Sequence, residues 1–293
     1  MPRTRGGPQV HKFGGASLAD AGAVRHAVQI VSRLPAGETV VVVSAMAGVT
    51  DRLLELARRA VRGEPMDEAS LDELRALLAG LRVVHELTAR TSDHVVARGE
   101  RLSALLMAGA LADAGRKVRL VDALKVIATD GTFGNAAPDF AATDRRARAV
   151  LAPLLAKGIV PVVPGFIGAS KQAELVTLGR GGSDLTATLL ARALGATAVH
   201  LWKDVPGFLT SDPRVVADAR VIPQLHSREA AELAYYGAKV LHPRSLIPIK
   251  RRSIPVYVRP FADRRPRAPK SPSAGRARAR RCGRCPASPA RRW

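Results

Sequence analysis

Between Thr177 and Thr186 the chain reads Thr-Leu-Gly-Arg-Gly-Gly-Ser-Asp-Leu-Thr, which sets Gly179, Gly181 and Gly182 around an arginine, a serine and an aspartate. Glycines let a backbone take positive φ and approach a ligand closely, and a helix opening here would offer unpaired N–H groups to an anion. Arg180 adds a planar fork that suits a carboxylate or a phosphate. Asp184 brings a negative charge to the same place. A loop holding both signs of charge beside bare backbone donors reads as an active site.

Other stretches carry weaker signals. Lys12-Phe-Gly-Gly-Ala-Ser17 ends an apolar strand and leads into a helix. A lysine followed by Gly14 and Gly15 can cradle a phosphate, although an ordinary strand–helix turn with an exposed lysine would read the same. The P-loop pattern G-x-x-x-x-G-K-[ST] does not occur. Ser44-Ala-Met-Ala-Gly-Val-Thr50 follows a very apolar run, and its small and hydroxylated residues would admit a small polar substrate or simply cap a turn. Arg98-Gly-Glu-Arg101 opens a predicted helix. Glu100 in its first turn would suit the helix dipole, or would grip a substrate ammonium. Trp202 to Arg214 leaves a strand into a loop punctuated by Pro and Gly, where Lys203, Asp204, Asp212 and Arg214 could surround a nucleotide. Tyr236-Gly-Ala-Lys-Val-Leu-His-Pro243 puts Lys239 at a predicted helix start, a poor place for a cation unless it meets phosphate. The histidines show no metal spacing and no H-E-x-x-H occurs.

These residues need a frame to hold them. The chain has 293 residues, 47% of them hydrophobic and 4% aromatic, enough for a core of Val, Leu, Ala and Ile in one large domain or two lobes. Strands are predicted over 10–13, 39–45, 117–123, 159–168, 198–202 and 254–258. Helices are predicted over 18–34, 49–62, 70–87, 98–114, 144–157, 185–194, 227–236 and 239–251. Several strands are continuous apolar runs, as in a parallel sheet buried on both faces. Their alternation with helices predicts an α/β fold, a three-layer αβα sandwich around a mainly parallel sheet. The division between two lobes is expected near 168–178, and Gly195 should close the helix before it, with Arg192 in the last turn. There is no run of about 18 apolar residues and no apolar signal core at the N-terminus, so no membrane partner and a soluble, cytoplasmic protein are expected. The net charge of +21 is uneven: residues 260–293 hold ten Arg, one Lys and one Asp, which is +10, leaving +11 for the rest. Cys282 and Cys285 also lie in that tail, so the body has no cysteine. Such a basic, apolar-poor segment is expected to be disordered, with non-specific, salt-sensitive affinity for nucleic acid.

Taken in order, Lys12–Ser17, Ser44–Thr50, Gly99–Ser103, Gly165–Gly168, Thr177–Thr186, Lys203–Arg214 and Gly237–Pro243 resemble the aspartate kinases of the amino acid kinase fold family, over residues 8–258. The resemblance implies transfer of phosphate from ATP to the β-carboxylate of L-aspartate, the first step toward lysine, threonine and methionine, with Mg²⁺ carried mainly on the ATP phosphates and no metal site built by the protein. It implies that Lys12, Gly14, Gly15 and Ser17 hold the transferring phosphate, with Lys12 and Asp184 as catalytic groups. Arg180 would take the substrate α-carboxylate, and Glu100 with Asp184 would face its ammonium. Thr50, Phe166 and Ser183 would line the aspartate pocket. Lys203, Asp204, Phe208, Arg214 and Lys239 would lie along the nucleotide, the N-terminal half (8–170) thus serving the amino acid and 171–259 the nucleotide.

Three departures stand out. Ala16 replaces the usual Thr or Ser, and Lys203 and Phe208 stand where many relatives carry Thr and Tyr. After Arg259 the basic tail replaces the continuation into regulatory ACT domains, which is expected of a frame-shifted or truncated reading without feedback inhibition. The usual contacts of a homo-oligomer would go with those domains. The competing expectations are a kinase of the same fold acting on glutamate or acetylglutamate, an inactive relic, and a nucleic-acid-binding arm.

Overall fold

The computed structural model describes residues 7–62, 72–205, 207, 210, 216, 218–222, 241–250, 252 and 254–261. Strands β1 (Gln9–Phe13), β2 (Thr39–Val43), β3 (Val118–Leu120), β4 (Val160–Pro164), β7 (Ala198–Lys203) and β8 (Val256–Pro260) form one sheet in the order β3-β4-β2-β1-β7-β8. Every pairing in it is parallel. The short strands β5 (Ile167–Ala169) and β6 (Leu175–Thr177) make a separate antiparallel pair.

Alternation along the central strands sorts side chains between two cores. Val10, Val40, Val42 and Val163 face one core with helices α5 (Phe140–Ala156) and α6 (Gly182–Leu194). Phe13, Val41, Val43 and Val162 face the other with α1 (Ala21–Ser32) and α4 (Ala89–Asp113). All five residues of β2, Thr-Val-Val-Val-Val, are buried, because a β-branched run between two helical layers has no solvent face to satisfy. Helices α2 (Val49–Val61) and α3 (Asp72–Val84) add a smaller cluster against Val95 of α4. The result is the three-layer αβα sandwich. The sheet is continuous across the division expected near 168–178, where the β5–β6 pair sits. No helix among the described residues is long and apolar enough to cross a membrane.

The structure corrects several element boundaries. Helix α4 begins at Ala89, nine residues before the expected start, with Thr88 as its cap accepting from the Thr91 N–H at 3.1 Å. Glu100 is therefore mid-helix, and the dipole explanation for it fails. The strand expected over 159–168 breaks after Pro164, because Phe166 takes φ 69°, a left-handed conformation no strand accommodates. The segment expected as strand 117–123 yields three strand residues and then a 3₁₀ turn over Ala123–Lys125 capped by Asp122. The first helix is split into a 3₁₀ turn, Gly15–Leu18, and α1, whose cap Asp20 accepts from the Ala23 N–H. Within the helix expected over 239–251 the described part is a 3₁₀ helix, Pro243–Ile249, since Pro248 can neither donate a helical hydrogen bond nor clear the preceding turn. The expected helix 227–236 and nearly all of the basic tail lie outside the described residues. Gly195 does close α6 at φ 61°, and Arg192 in the last turn pairs with Asp144 at 3.3 Å.

One buried side chain couples this sheet to pH. His11 of β1 is 3% exposed and stacks on His200 of β7 with ring centroids 4.6 Å apart. Trp202 Nε1 donates to His11 Nδ1 at 3.4 Å, which leaves the imidazole proton on a buried Nε2 that has no partner. Burial, then His200 and Arg259, push the His11 pKa down to about 3. A histidine depressed in the folded state is protonated first in the unfolded chain, so its contribution to stability is complete above the ordinary value of 6.5 and is lost as pH falls from there toward 3. Unfolding free energy measured against pH should therefore fall less steeply in His11→Leu than in the wild type, by up to about 1.4 kcal/mol per pH unit. Parallel curves for the two proteins between pH 6.5 and 4 would remove this role from His11.

Candidate active site

Parallel strands release their loops at one edge, and the chemistry collects there. A cavity of about 480 Å³ opens beyond the carboxyl ends of β1, β2 and β4, with Lys12, Thr50, Glu100, Phe166, Arg180, Ser183 and Asp184 in its walls. Seven residues that are scattered over 173 positions of sequence thus share one concave site.

Its centre is an ion-paired triad. Lys12 near the end of β1 reaches Asp184 Oδ1 at 2.7 Å, and Lys203 at the end of β7 reaches Oδ2 at 2.8 Å. Strand geometry makes this possible. Lys12 is in register with Leu201, and Lys203, two residues on, falls on the same face of the sheet. That face is covered by α6, whose first turn carries Asp184. Burial alone would raise the Asp184 carboxyl, but the two ammonium groups override it and hold it down, to about 2. Burial, opposed by Asp184 and assisted by the charge of Lys12, lowers the Lys203 ammonium.

Glu100 enters the same cavity from α4, close enough to feel the charge of Lys12. It is 4% exposed and its Oε2 has no hydrogen-bond partner. Burial pushes its carboxyl up to about 7, against the Ala45 backbone and the charge of Lys12, which both act to lower it. A buried carboxyl poised near neutrality, with one oxygen unsatisfied, is the signature of a group waiting for a cationic partner. Arg180 is exposed at the cavity mouth, so an entering acid meets it in water-accessible space.

The glycine loop works as its composition suggests. Gly181 takes φ 73° as the residue before α6, and Gly182 and Ser183 form the helix start. The floor is equally tight: a Cβ on Gly165 would sit 2.6 Å from that of Ser183, so only glycine lets the β4–β5 turn touch α6. Gly14 is extended at the end of β1, and Gly15 lies against Ala45 and Ala47, with its carbonyl accepting from the Ala47 N–H at 3.2 Å.

Not every expected residue meets the site in the expected way. Ser17 is fully buried and donates its hydroxyl to the Trp202 carbonyl at 3.1 Å, so it ties the turn to β7. Asp204 is exposed, next to Lys203. Phe208, Arg214 and Lys239 lie outside the described residues. Asp184, expected against a substrate ammonium, has both oxygens engaged by lysines. Among the described residues no group of three or more His, Cys, Asp or Glu could hold a metal ion. Sequence reasoning missed Asp93, which lies two helical turns before Glu100, and Arg244, which follows the His242-Pro243 pair. Neither carries a ligand-type motif, and their importance shows only in tertiary contacts.

The family model of the amino acid kinase family matches residues 8–260. The chain belongs to the amino acid kinase family. Within it, the chain is 40% identical over 273 residues to lysine-sensitive aspartokinase 3 of Escherichia coli, an alignment covering 85% of this chain and 60% of that protein. It is 37% identical to the chloroplastic aspartokinase 3 of Arabidopsis thaliana, across 85% of this chain and 50% of the relative. The chain therefore spans half to three-fifths of the length of these two relatives. The crystal structure of E. coli aspartokinase III in complex with aspartate and ADP superposes with a TM-score of 0.76 at 38% identity, covering 88% of this chain and 63% of that one. At 16% identity and a TM-score of 0.53, the likeness to the UMP kinase of Bacillus anthracis is one of fold alone.

The Asp184 charge is what allows two lysines to share one place. Asp184→Asn should leave Lys12 without its ion-pair partner and take from Lys203 its carboxylate contact at 2.8 Å, at a cost of about 3 kcal/mol of stability, much of it regained when sulfate or phosphate is added. Urea unfolding with and without the anion measures both parts. A variant as stable as the wild type would show that the triad is not the organising contact of the site.

Proposed function

We propose that the chain is an aspartate kinase, transferring the γ-phosphoryl group of ATP to the β-carboxylate of L-aspartate to give 4-phospho-L-aspartate, the entry to lysine, threonine and methionine biosynthesis, in the cytoplasm. The observation that carries the reading is one cavity that offers a fork for a carboxylate, Arg180, and a buried unpartnered carboxyl for an ammonium, Glu100, beside a pair of lysines. The similarity to a structure described as holding aspartate and ADP supports it.

An acceptor carboxylate with an ordinary pKa near about 4 is already ionised at neutral pH, so the reaction needs no general base. The protein's task is to bring two anions into line and to offset the charge that gathers between them. Arg180 binds the α-carboxylate, and Glu100, ionised as the substrate ammonium arrives, holds the other end. The β-carboxylate is left to point at Lys12. Lys12 and Lys203 neutralise phosphoryl oxygens, with the backbone of Gly14 and Gly15 alongside. Asp184 fixes both lysines, which replaces its expected role against the ammonium. Thr50, Phe166 and Ser183 shape the amino-acid side of the pocket. Lys203 and Asp204, with Phe208, Arg214 and Lys239 on the strength of their motifs, serve the nucleotide. Mg²⁺ comes with the nucleotide on its phosphates and is part of the substrate.

A coupled assay of ADP release tests the reading: L-aspartate should be turned over, and activity with glutamate but none with aspartate would overturn it. Arg180→Ala should raise the KM for aspartate about ten- to a hundredfold, the loss expected for a charge-assisted pair, with the KM for ATP nearly unchanged. Equal rises in both would misplace the loop.

The carboxyl of Glu100, raised to about 7, is neutral below that pH and ionised above it. The KM for aspartate should therefore climb as pH falls below 7, and Glu100→Gln should raise the KM and flatten the profile. A variant with the wild-type profile would exclude Glu100 as the ammonium site.

A further inference from the structure

The loop that carries Arg180 is held from outside the cavity. Arg244, half-buried in the 3₁₀ helix 243–249, donates through Nη1 to the Leu178 carbonyl at 3.3 Å and through Nη2 to the Ala136 carbonyl at 3.2 Å. Its Nη1 also meets the side-chain oxygen of Asn135. One planar guanidinium thus ties together two segments more than 40 residues apart in sequence, immediately before Arg180. Neighbouring residues grip the other end of the loop. Ser245 Oγ donates to the Gly181 carbonyl at 3.4 Å, and a Cβ on Gly181 would lie 2.5 Å from that of His242.

The segments Arg244 joins are themselves anchored to α4. Buried Asp93 accepts from the N–H groups of Gly134 and Thr177, both at 2.9 Å, and from the Thr177 hydroxyl at 2.7 Å. Thr177 in turn accepts the Ala136 N–H at 2.8 Å. The loop 178–182 is therefore bounded on one side by a floor fixed to the helix of Glu100, and on the other by the 242–245 segment. Arg180 lies between the two gripping points, with an exposed side chain that makes no hydrogen bond or ion pair among the described residues; its direction comes from the backbone.

We propose that Arg244 is a positioning residue for Arg180: its guanidinium holds the Leu178 carbonyl against Ala136 and so fixes the backbone that presents Arg180 to the acid. A lysine cannot replace it, because a single ammonium cannot offer the planar fork that serves both carbonyls and Asn135 at once. The role rests on the aspartate reading for the identity of the acid, but the clamp itself does not.

Two measurements test it. In kinetics, Arg244→Ala should raise the KM for aspartate about tenfold with the KM for ATP within about twofold, Arg244→Lys should recover little, and added guanidinium ion should recover more. In an Arg180→Ala background the same change should add almost nothing, because the residue acts through Arg180. Full additivity of the two variants, or equal rises in both KM values, would overturn the proposal. In hydrogen exchange, Arg244→Ala should speed exchange across 178–182 while leaving β1 and β2 protected, and unchanged exchange there would also overturn it. If the wild type does not turn over aspartate yet the loop loosens in the variant, the clamp stands and the aspartate reading falls.

Discussion

Two ammonium groups and one carboxylate decide how this site is built. Like charges held a few ångströms apart repel by on the order of 3–4 kcal/mol at an effective dielectric constant of about 20, so Lys12 and Lys203 could not share a half-dry cavity without an anion between them. Asp184 supplies it, one oxygen to each lysine, at 2.7 and 2.8 Å. Everything else serves that contact. Strands β1 and β7 must be parallel neighbours for the lysines to emerge together, and α6 must start above them for Asp184 to arrive. Gly181 and Gly182 must be glycines for α6 to start there, because the loop turns through positive φ and then runs against Phe166. The arrangement also sets the chemistry. On the proposed reading, an entering phosphoryl group would meet lysines already gathered, the cost of bringing them together having been met during folding.

Glu100 obeys the opposite logic. Asp184 is held ionised by two cations, whereas Glu100 has lost its water and gained too little in return. Two carboxyls in one cavity are thereby driven apart by their surroundings, one charged at any ordinary pH and one near its midpoint at neutrality. That split separates a structural anion from one free to respond to a ligand, and it follows from what surrounds each. Asp184 stands in the first turn of α6 between two lysines, while Glu100 sits in the middle of a 25-residue helix, where the Ala45 backbone and the charge of Lys12 offset its burial only in part.

Much of this was legible in the sequence, for identifiable reasons. The Val-rich strand at 39–43 and the glycine loop at 179–182 announce themselves because their physics is local: burial on both faces for one, positive φ for the other. The ordering of Lys12, Glu100, Arg180 and Asp184 into one cavity was accessible through their motifs. What local reasoning could not reach were contacts made across the fold. Ser17 looked like a phosphate ligand beside two glycines, but the carbonyl of Trp202, 185 residues away, takes its hydroxyl. The break at Phe166 was hidden in an apolar run that would read as one strand, and the early start of α4 was hidden by a polar first turn. Asp93 and Arg244 sit among ordinary helix and turn residues and acquire a role only when the loops they join are brought together.

These late-appearing residues show how a site made of loops can be exact. Much of the cavity wall comes from turns, which are the least constrained parts of an α/β sheet, yet the proposed phosphoryl transfer would need its groups fixed to within a fraction of an ångström. Here the turns are stapled by side chains that touch no substrate. Asp93 holds the backbone at 134 and 177 together with the Thr177 hydroxyl, and Arg244 holds the backbone at 136 and 178 together with the Asn135 side chain. Charged groups are used because a carbonyl or an N–H binds an ion more firmly than it binds a neutral partner. The same economy appears in the glycines: Gly165 and Gly182 remove the one atom that would keep turn and helix apart. Close backbone approach brings the walls together, buried ions lock them, and only then can an exposed arginine at the mouth hold a defined direction.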